Sequence, residues 1–397
     1  MKWILKPYYL VILTAFISFC VWLIPFDSSF RTGYQIKATL TSESVFILVL
    51  WYLSITIVSF LGYKVGRKIK KNKLLNHIPD NYFYQMVSIL AGIGVVYTII
   101  YLILIDPFIF LNVLKGSANE IKKALYENYS MGLLSLRYVV AISGSIAIAN
   151  IIIFKKLKSI DVLNVLMLLL IAAISARLLI IMSSLLVLGI LSKKKVVIKT
   201  RFIIPGIVIL FLLLSFYNNS RNINFYTDRY NINSPFMANI MEIVTYIGSP
   251  FQASVGIANN IAVFTEWSNI SNIMTVIPVL DFAYDKKLDY RSYVDIESSL
   301  TTNSAFVELF SVMGIYSFIV IILTSFLNSI IMGHFSRYKS YIFLIEFVLL
   351  YCFAEIWRIY LFKEGIILTL LCAIVISSII PIVSFKRKTN RKWDIMK

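Results

Sequence analysis

The sequence predicts an all-α, polytopic integral membrane protein of about ten transmembrane helices, and three observations predict it. Of 397 residues, 59% are hydrophobic and 15% charged, with a mean hydropathy of +0.81; soluble domains run at about 45–50% apolar and about 25% charged. Uncharged runs near twenty residues recur, such as Tyr8 to Phe26 and Val45 to Tyr63, and about twenty apolar residues carry a helix across the hydrocarbon. Alternating strand patterns of about ten residues are absent, which favours a helical bundle over a barrel, the two ways a backbone can satisfy its hydrogen bonds in lipid.

The expected spans follow in order. The first, 8–26, is too long for the apolar core of a signal peptide and has no small-residue cleavage site. The second, 44–63, runs into the basic segment Lys64 to Lys73, and the third, 83–105, stays uncharged as far as Asp106. The fourth, 134–154, ends at Lys155, Lys156 and Lys158. Residues 162–191 fit either one long helix or a pair, 162–176 and 178–191, with Arg177 at the apex. Charge decides for the pair, because it puts Lys155–Lys158 and Lys193–Lys195 on the same side as Lys64–Lys73 and the tail Lys386–Lys392. A seventh span, 202–217, precedes the long segment Asn218–Asn303, and 304–331, 341–361 and 365–385 complete the set. Most of the 38 lysines and arginines then fall in the short connections of one face, which makes that face, and both termini, cytoplasmic.

Residues 1–397 read as a single membrane domain, with 218–303 a large extracytoplasmic loop between spans seven and eight. The loop is locally acidic, so the net charge of +18 is topological and no nucleic-acid partner is expected. Amphipathic stretches Met237–Thr245 and Val255–Phe264, broken by Gly248 and Pro250, suit short helices lying on the membrane rim. Cys20, Cys352 and Cys372 all lie in apolar runs and read as buried thiols, neither a disulfide framework nor a metal site.

Catalysis by imidazole is disfavoured, since His77 and His334 fall in expected cytoplasmic connections. The spacings that mark zinc, P-loop and serine-hydrolase chemistry are absent, and no cofactor or metal is expected. Arginine and carboxylate at the outer face remain. Arg177 lies between two apolar helices, where an arginine is either functional or snorkelling to the headgroups. Glu355 and Arg358 share one face of the ninth span as a structural or substrate-binding pair. Glu308, a turn into the eighth span, suits a proton acceptor or a polar anchor. Arg221, Arg229 and Arg291 lie in the large loop, the first and last near its membrane-attached ends; each alone suits solvated surface charge, but gathered with Arg177 and Arg358 at one membrane face they suit a phosphate or pyrophosphate as a set of guanidinium forks. Tyr226, Tyr230, Tyr246, Tyr284, Tyr290, Tyr293 and Trp267 suit either stacking on sugars or an interfacial belt.

Ser175-Ala-Arg177-Leu-Leu leading into an apolar run to Gly189, the long late loop, and Thr301-Thr-Asn303-Ser-Ala-Phe306-Val-Glu308 continuing to Gly314 together resemble the Wzy-type O-antigen polymerases. That resemblance implies a polymerase/ligase architecture similar to the GT-C type in a bacterial inner membrane. It also implies a metal-independent glycosyltransferase acting on undecaprenyl-pyrophosphate-linked oligosaccharide at the periplasmic face, with membrane lipid around it and a polysaccharide chain-length regulator as a partner. Catalytic roles then fall to Arg177, Glu308 and Glu355, and pyrophosphate binding to Arg177, Arg221, Arg291 and Arg358. The large loop has no histidine, which separates it from the related ligases. A flippase of the lipid-linked oligosaccharide is the alternative, disfavoured by the long loop and the lack of an internal repeat; an acyltransferase would want a base within a span.

Overall fold

A computed structural model describes residues 5–24, 36–76, 78–109, 133–175, 178–196, 234–266 and 303–395, with isolated residues between them. The described residues are helical, with no strand among them. The helices are α1 (Pro7–Leu23), α2 (Ser42–Lys68), α3 (Asp80–Ile105), α4 (Val140–Phe154, continuing a 3-10 turn Leu133–Val139), α5 (Ser159–Ile174), α6 (Leu178–Lys193), α7 (Pro235–Asn259), α8 (Ile261–Glu266), α9 (Ala305–Met313), α10 (Tyr316–Phe335), α11 (Leu344–Glu355) and α12 (Gly365–Ile395).

Four of these stretches are long and apolar enough to cross a membrane: Ser42–Lys68, Asp80–Ile105, Leu133–Phe154 and Tyr316–Phe335. Pro7–Leu23, Ser159–Ile174, Leu178–Lys193 and Gly365–Ile380 are apolar but shorter. What these helices expose is as telling as their length. On α10, Ile319, Leu323, Leu327 and Ile331 all face outward at a spacing of four, and on α3 Ile89, Ile93, Val96 and Ile100 face outward at spacings of three and four. A helix in water turns polar residues outward, so these stripes are surfaces made for lipid. The chain is an all-α protein with the helices of a membrane protein.

The residues divide into two compact units. The first comprises Met1–Ile69, Tyr230–His334 and Leu349–Ile367. In it α1, α2 and α7 pack on one another, and α9 packs on α7 and α8. Helix α2 starts at a capping box, Thr41 accepting from the Ser44 N–H while the Ser44 hydroxyl accepts from the Thr41 N–H, so orphan donors of its first turn are satisfied. Glycines let α2 approach α10 closely: a Cβ on Gly66 would stand 2.0 Å from the Ile330 carbonyl oxygen, and one on Gly333 2.2 Å from that of Tyr63. Small residues at such a crossing are how apolar helices gain contact where lipid removes the hydrophobic drive.

Helix α7 corrects the expected rim helices. It is one helix of 25 residues that runs through both Gly248 and Pro250. An interior proline removes a backbone hydrogen bond and costs about 3 kcal/mol in an isolated helix. Contacts along its length offset that cost. The Ser18 hydroxyl donates to the Ile247 carbonyl at 2.6 Å, and Trp22 Nε1 donates to Gln252 Oε1 at 2.8 Å. Gln252 also donates to the Ile36 carbonyl at 2.8 Å and accepts from the Ala38 N–H at 3.0 Å, tying α7 to the connection before α2.

The expected eighth span, 304–331, is two helices. Gly314 sits at φ 54 between α9 and α10, a left-handed conformation that glycine adopts without a Cβ clash. The expected ninth span is shorter than its apolar run: α11 has 12 residues and ends at Glu355. His334, expected in a connection, lies in the last turn of α10. Cys372, expected to be buried, is exposed on α12, whereas Cys352 is buried.

The second unit comprises Lys70–Arg229, Phe335–Val348 and Leu368–Lys397. Residues 162–191 form two helices, α5 and α6, in contact with each other and both packed on α4. A buried polar knot joins α3 to α5: the Tyr84 hydroxyl donates to Asp161 Oδ1 at 2.8 Å, while Asn164 Nδ2 donates to Ser88 Oγ at 2.9 Å. The expected seventh span, 202–217, lies largely outside the described residues.

Candidate functional site

Four of the seven arginine and carboxylate candidates, Arg177, Arg221, Arg229 and Arg291, lie outside the described residues, as do Tyr226, Tyr230, Tyr284, Tyr290 and Trp267. The other three, Glu308, Glu355 and Arg358, lie in the first unit.

Glu355 closes α11 and Arg358 lies in the turn beyond it, not on the same helical face as the sequence suggests. The turn itself makes the pair. Arg358 N–H and Ile359 N–H both donate to the Glu355 carbonyl at 2.8 Å, which folds the chain back so that Arg358 Nε meets Glu355 Oε2 at 2.7 Å. Both side chains are nearly out of solvent, at 4% and 8% exposure. A bare buried charge costs several kcal/mol, so this geometry is worth its desolvation only because the ions touch.

Tyr246 of α7 completes the cluster. Its hydroxyl accepts from Arg358 Nη1, and the guanidinium carbon stands 4.8 Å from its ring centroid. Tyr351, one turn before Glu355, is also buried. Arg358 Nη2, also buried, has no hydrogen-bond partner among the described residues. An arginine presents five N–H donors in a fixed fork, and here part of that fork is held in place and left unspent.

Glu308 lies beside this cluster through the backbone. Ser304 caps α9 by accepting from the Val307 N–H, and its hydroxyl shares a 2.6 Å hydrogen bond with Ser254 of α7. The Ala305 N–H donates to the Ile356 carbonyl at 2.9 Å, in the turn that carries Arg358. Glu308, in the first turn of α9, meets Lys363 Nζ at 3.2 Å. Side-chain exposures of 15% for Glu308 and 20% for Lys363 make this the more open of the two pairs. The unit thus sets a permanently charged fork and a second, less buried ion pair on either side of one short backbone contact.

Two residues were missed by sequence reasoning. Lys363 sits in the short connection between expected spans, and only folding reveals its partner. Arg137, in the second unit, had a legible signal: an arginine inside an apolar span is a functional candidate by default. It is fully buried, donating to the Leu134 carbonyl at 2.9 Å, Tyr138 Oη at 2.8 Å and Ser175 Oγ at 3.2 Å. No carboxylate is among those partners. Of the remaining aromatic candidates, Tyr293 meets Phe264 edge-on at 5.2 Å, an ordinary packing contact.

Fold and site together define an all-helical protein with membrane-length apolar helices and a buried arginine–carboxylate–tyrosine cluster. No protein-family model, no curated protein and no solved structure matches the chain.

Proposed function

We propose that the protein is a metal-independent glycosyltransferase that polymerises undecaprenyl-pyrophosphate-linked oligosaccharide repeat units at the periplasmic face of a bacterial inner membrane. Ten spans, a GT-C-like plan and cytoplasmic termini belong to this reading. The observation that carries it is Arg358: its guanidinium is fixed by Glu355 on one edge and Tyr246 on another, with Nη2 lacking a hydrogen-bond partner among the described residues. Tyr246 comes from the long segment between spans seven and eight, so that segment folds onto the charged pair.

Preorganised donors aimed at developing charge are the largest single source of catalysis in such sites, and losing one costs roughly 3 kcal/mol. In the proposed step, the non-reducing-end hydroxyl of one repeat unit attacks the anomeric carbon of the chain carried on its lipid. A new C–O bond forms as the bond to the diphosphate breaks, and the diphosphate leaves with the electron pair. Arg358 Nη2 neutralises that leaving group, and Glu308, in the more exposed of the two ion pairs, takes the hydroxyl proton. Glu355 holds Arg358 and serves as its counter-ion. Arg177, Arg221 and Arg291 remain proposed diphosphate ligands on the strength of the resemblance alone.

The test is the lipopolysaccharide profile of a deletion strain. A polymerase deletion leaves a single repeat unit on core, whereas loss of a flippase removes the O-antigen altogether. An acyltransferase deletion leaves a normal ladder with altered serology. Arg358→Lys keeps the charge but not the fork, so it should restore less than about a hundredth of the wild-type polymer at equal protein level, the fold-change of one lost donor. A normal ladder from Arg358→Ala contradicts the proposal.

A further inference from the structure

In the second unit, helices α3, α4 and α5 pack on one another, and near the start of α5 they bury a carboxylate with no cation paired to it. Asp161, in the first turn of α5, is 1% exposed. Its Oδ1 accepts from the Tyr84 hydroxyl of α3 at 2.8 Å and, more weakly, from Asn150 Nδ2 of α4 at 3.5 Å. Both partners are neutral. Among the described residues no ion pair includes Asp161. Lys158, the nearest lysine along the chain, turns its Nζ over the Phe154 ring at 6.0 Å, and Lys194, just beyond α6, meets Asp80 at 2.5 Å.

A second polar group at the same place also lacks a partner. Asn164 lies one turn further along α5 and is fully buried. Its Nδ2 donates to the Ile160 carbonyl at 2.8 Å and to Ser88 Oγ at 2.9 Å, and stands 3.1 Å from Tyr84 Oη. The contact with a carbonyl oxygen fixes the orientation of the amide, because the flipped amide would set two acceptors face to face. Asn164 Oδ1, at the other end, is buried with no hydrogen-bond partner among the described residues. The Tyr84 hydroxyl directs its hydrogen to Asp161 and keeps a lone pair to offer. A carboxylate and an amide thus meet around Tyr84 Oη. A buried charge beside a buried, unpartnered acceptor calls for a cation.

The geometry points to a binding site for a monovalent metal cation, sodium, held by the Asp161 carboxylate, Asn164 Oδ1 and Tyr84 Oη. The donor set argues for that ion. All three donors are hard oxygens, which suit hard cations in preference to soft transition metals. A single carboxylate balances a single charge. No group of three His, Cys, Asp or Glu side chains meets among the described residues, so a divalent ion would be left without its usual complement of carboxylates. The helix start stabilises negative charge at this position, so a metal ion rather than a proton is its counterpart. Bound there, the ion joins α3 to α5. This inference does not depend on the proposed catalytic function.

The full-length protein, purified in detergent without sodium, is titrated with sodium chloride or choline chloride at equal ionic strength, and retention of radioactive sodium and melting temperature are followed. Sodium should be retained saturably, and the melting temperature should climb with the logarithm of sodium concentration but not with choline. Tyr84→Phe should weaken retention by roughly tenfold, the loss of one contact to a charge. Asp161→Asn keeps the shape and removes the charge. It should abolish retention and the sodium response, yet melt no lower than the wild-type protein in sodium-free solution, which separates a lost ion from a lost fold. Equal stabilisation by sodium and choline, or sodium retention by the Asp161→Asn protein, overturns the site. So does a sodium-free melting temperature of the Asp161→Asn protein well below wild type, since the carboxylate would then have its partner within the chain. Stabilisation that follows falling pH and ignores sodium assigns the site to a proton and overturns the metal.

Discussion

Arg358 and Glu308 divide the proposed chemistry because their surroundings differ. The Arg358 fork is locked by Glu355 at 2.7 Å and by Tyr246, so its role is to hold charge in place. Glu308 belongs to the more exposed of the two ion pairs, with Lys363 at 3.2 Å, so its proposed role is to move a proton. Glu308→Gln should therefore lower polymer formation at least about a hundredfold, the lower end of the range for losing a general base, with protein level unchanged. Tyr246→Phe keeps the ring beside the guanidinium but loses the hydroxyl, and should cost at least about tenfold, the low end for a hydrogen bond to a charged group. Both are read from ladder intensity. Glu308, Glu355 and Arg358 were legible as charges stranded in apolar sequence, but their partners were not. Lys363 lies 55 residues beyond Glu308, and no periodicity links positions so far apart. The Glu355–Arg358 spacing did announce a pair, yet the turn that makes it follows from where α11 stops.

At the scale of elements, apolar runs were read well and interruptions badly. Helices α2 and α3 fall where uncharged sequence predicts them, because length and hydropathy alone decide such helices. Gly314 breaks an apolar run that hydropathy reads straight through, since a positive φ leaves hydropathy unchanged. Pro250 is the reverse case, a breaker overruled by the Trp22–Gln252 and Ser18–Ile247 contacts that hold α7 against α1. The close crossing of α2 and α10 yields a prediction of its own. Gly66→Leu or Gly333→Leu puts a side chain where a backbone oxygen already stands and should destabilise the protein by about 3 kcal/mol or more. A melting point in detergent several degrees lower, with no comparable change for leucine at the open position Gly92, is the expected outcome.

For the whole molecule, the functional reading requires that the segment carrying Tyr246 face away from the cytosol. The distribution of lysine and arginine predicts this orientation. Alkaline phosphatase fused at Asn233 or Asp285 should be active, and fused at Asn72 inactive, in intact cells. Much of the positive charge behind the net +18 lies in connections such as those around Lys71 and Arg337, the pattern from which that orientation is expected. Composition made the membrane class legible at once, whereas the division into two compact units depends on contacts between segments far apart in sequence.

The most direct test of the central claim is reconstitution. The purified protein in vesicles, supplied with undecaprenyl-pyrophosphate-linked repeat units and no metal, should yield chains of two or more repeats together with free undecaprenyl pyrophosphate, and Arg358→Ala protein should yield neither. Unchanged single repeats with the wild-type protein, or equal polymer from the Arg358→Ala protein, would contradict the account.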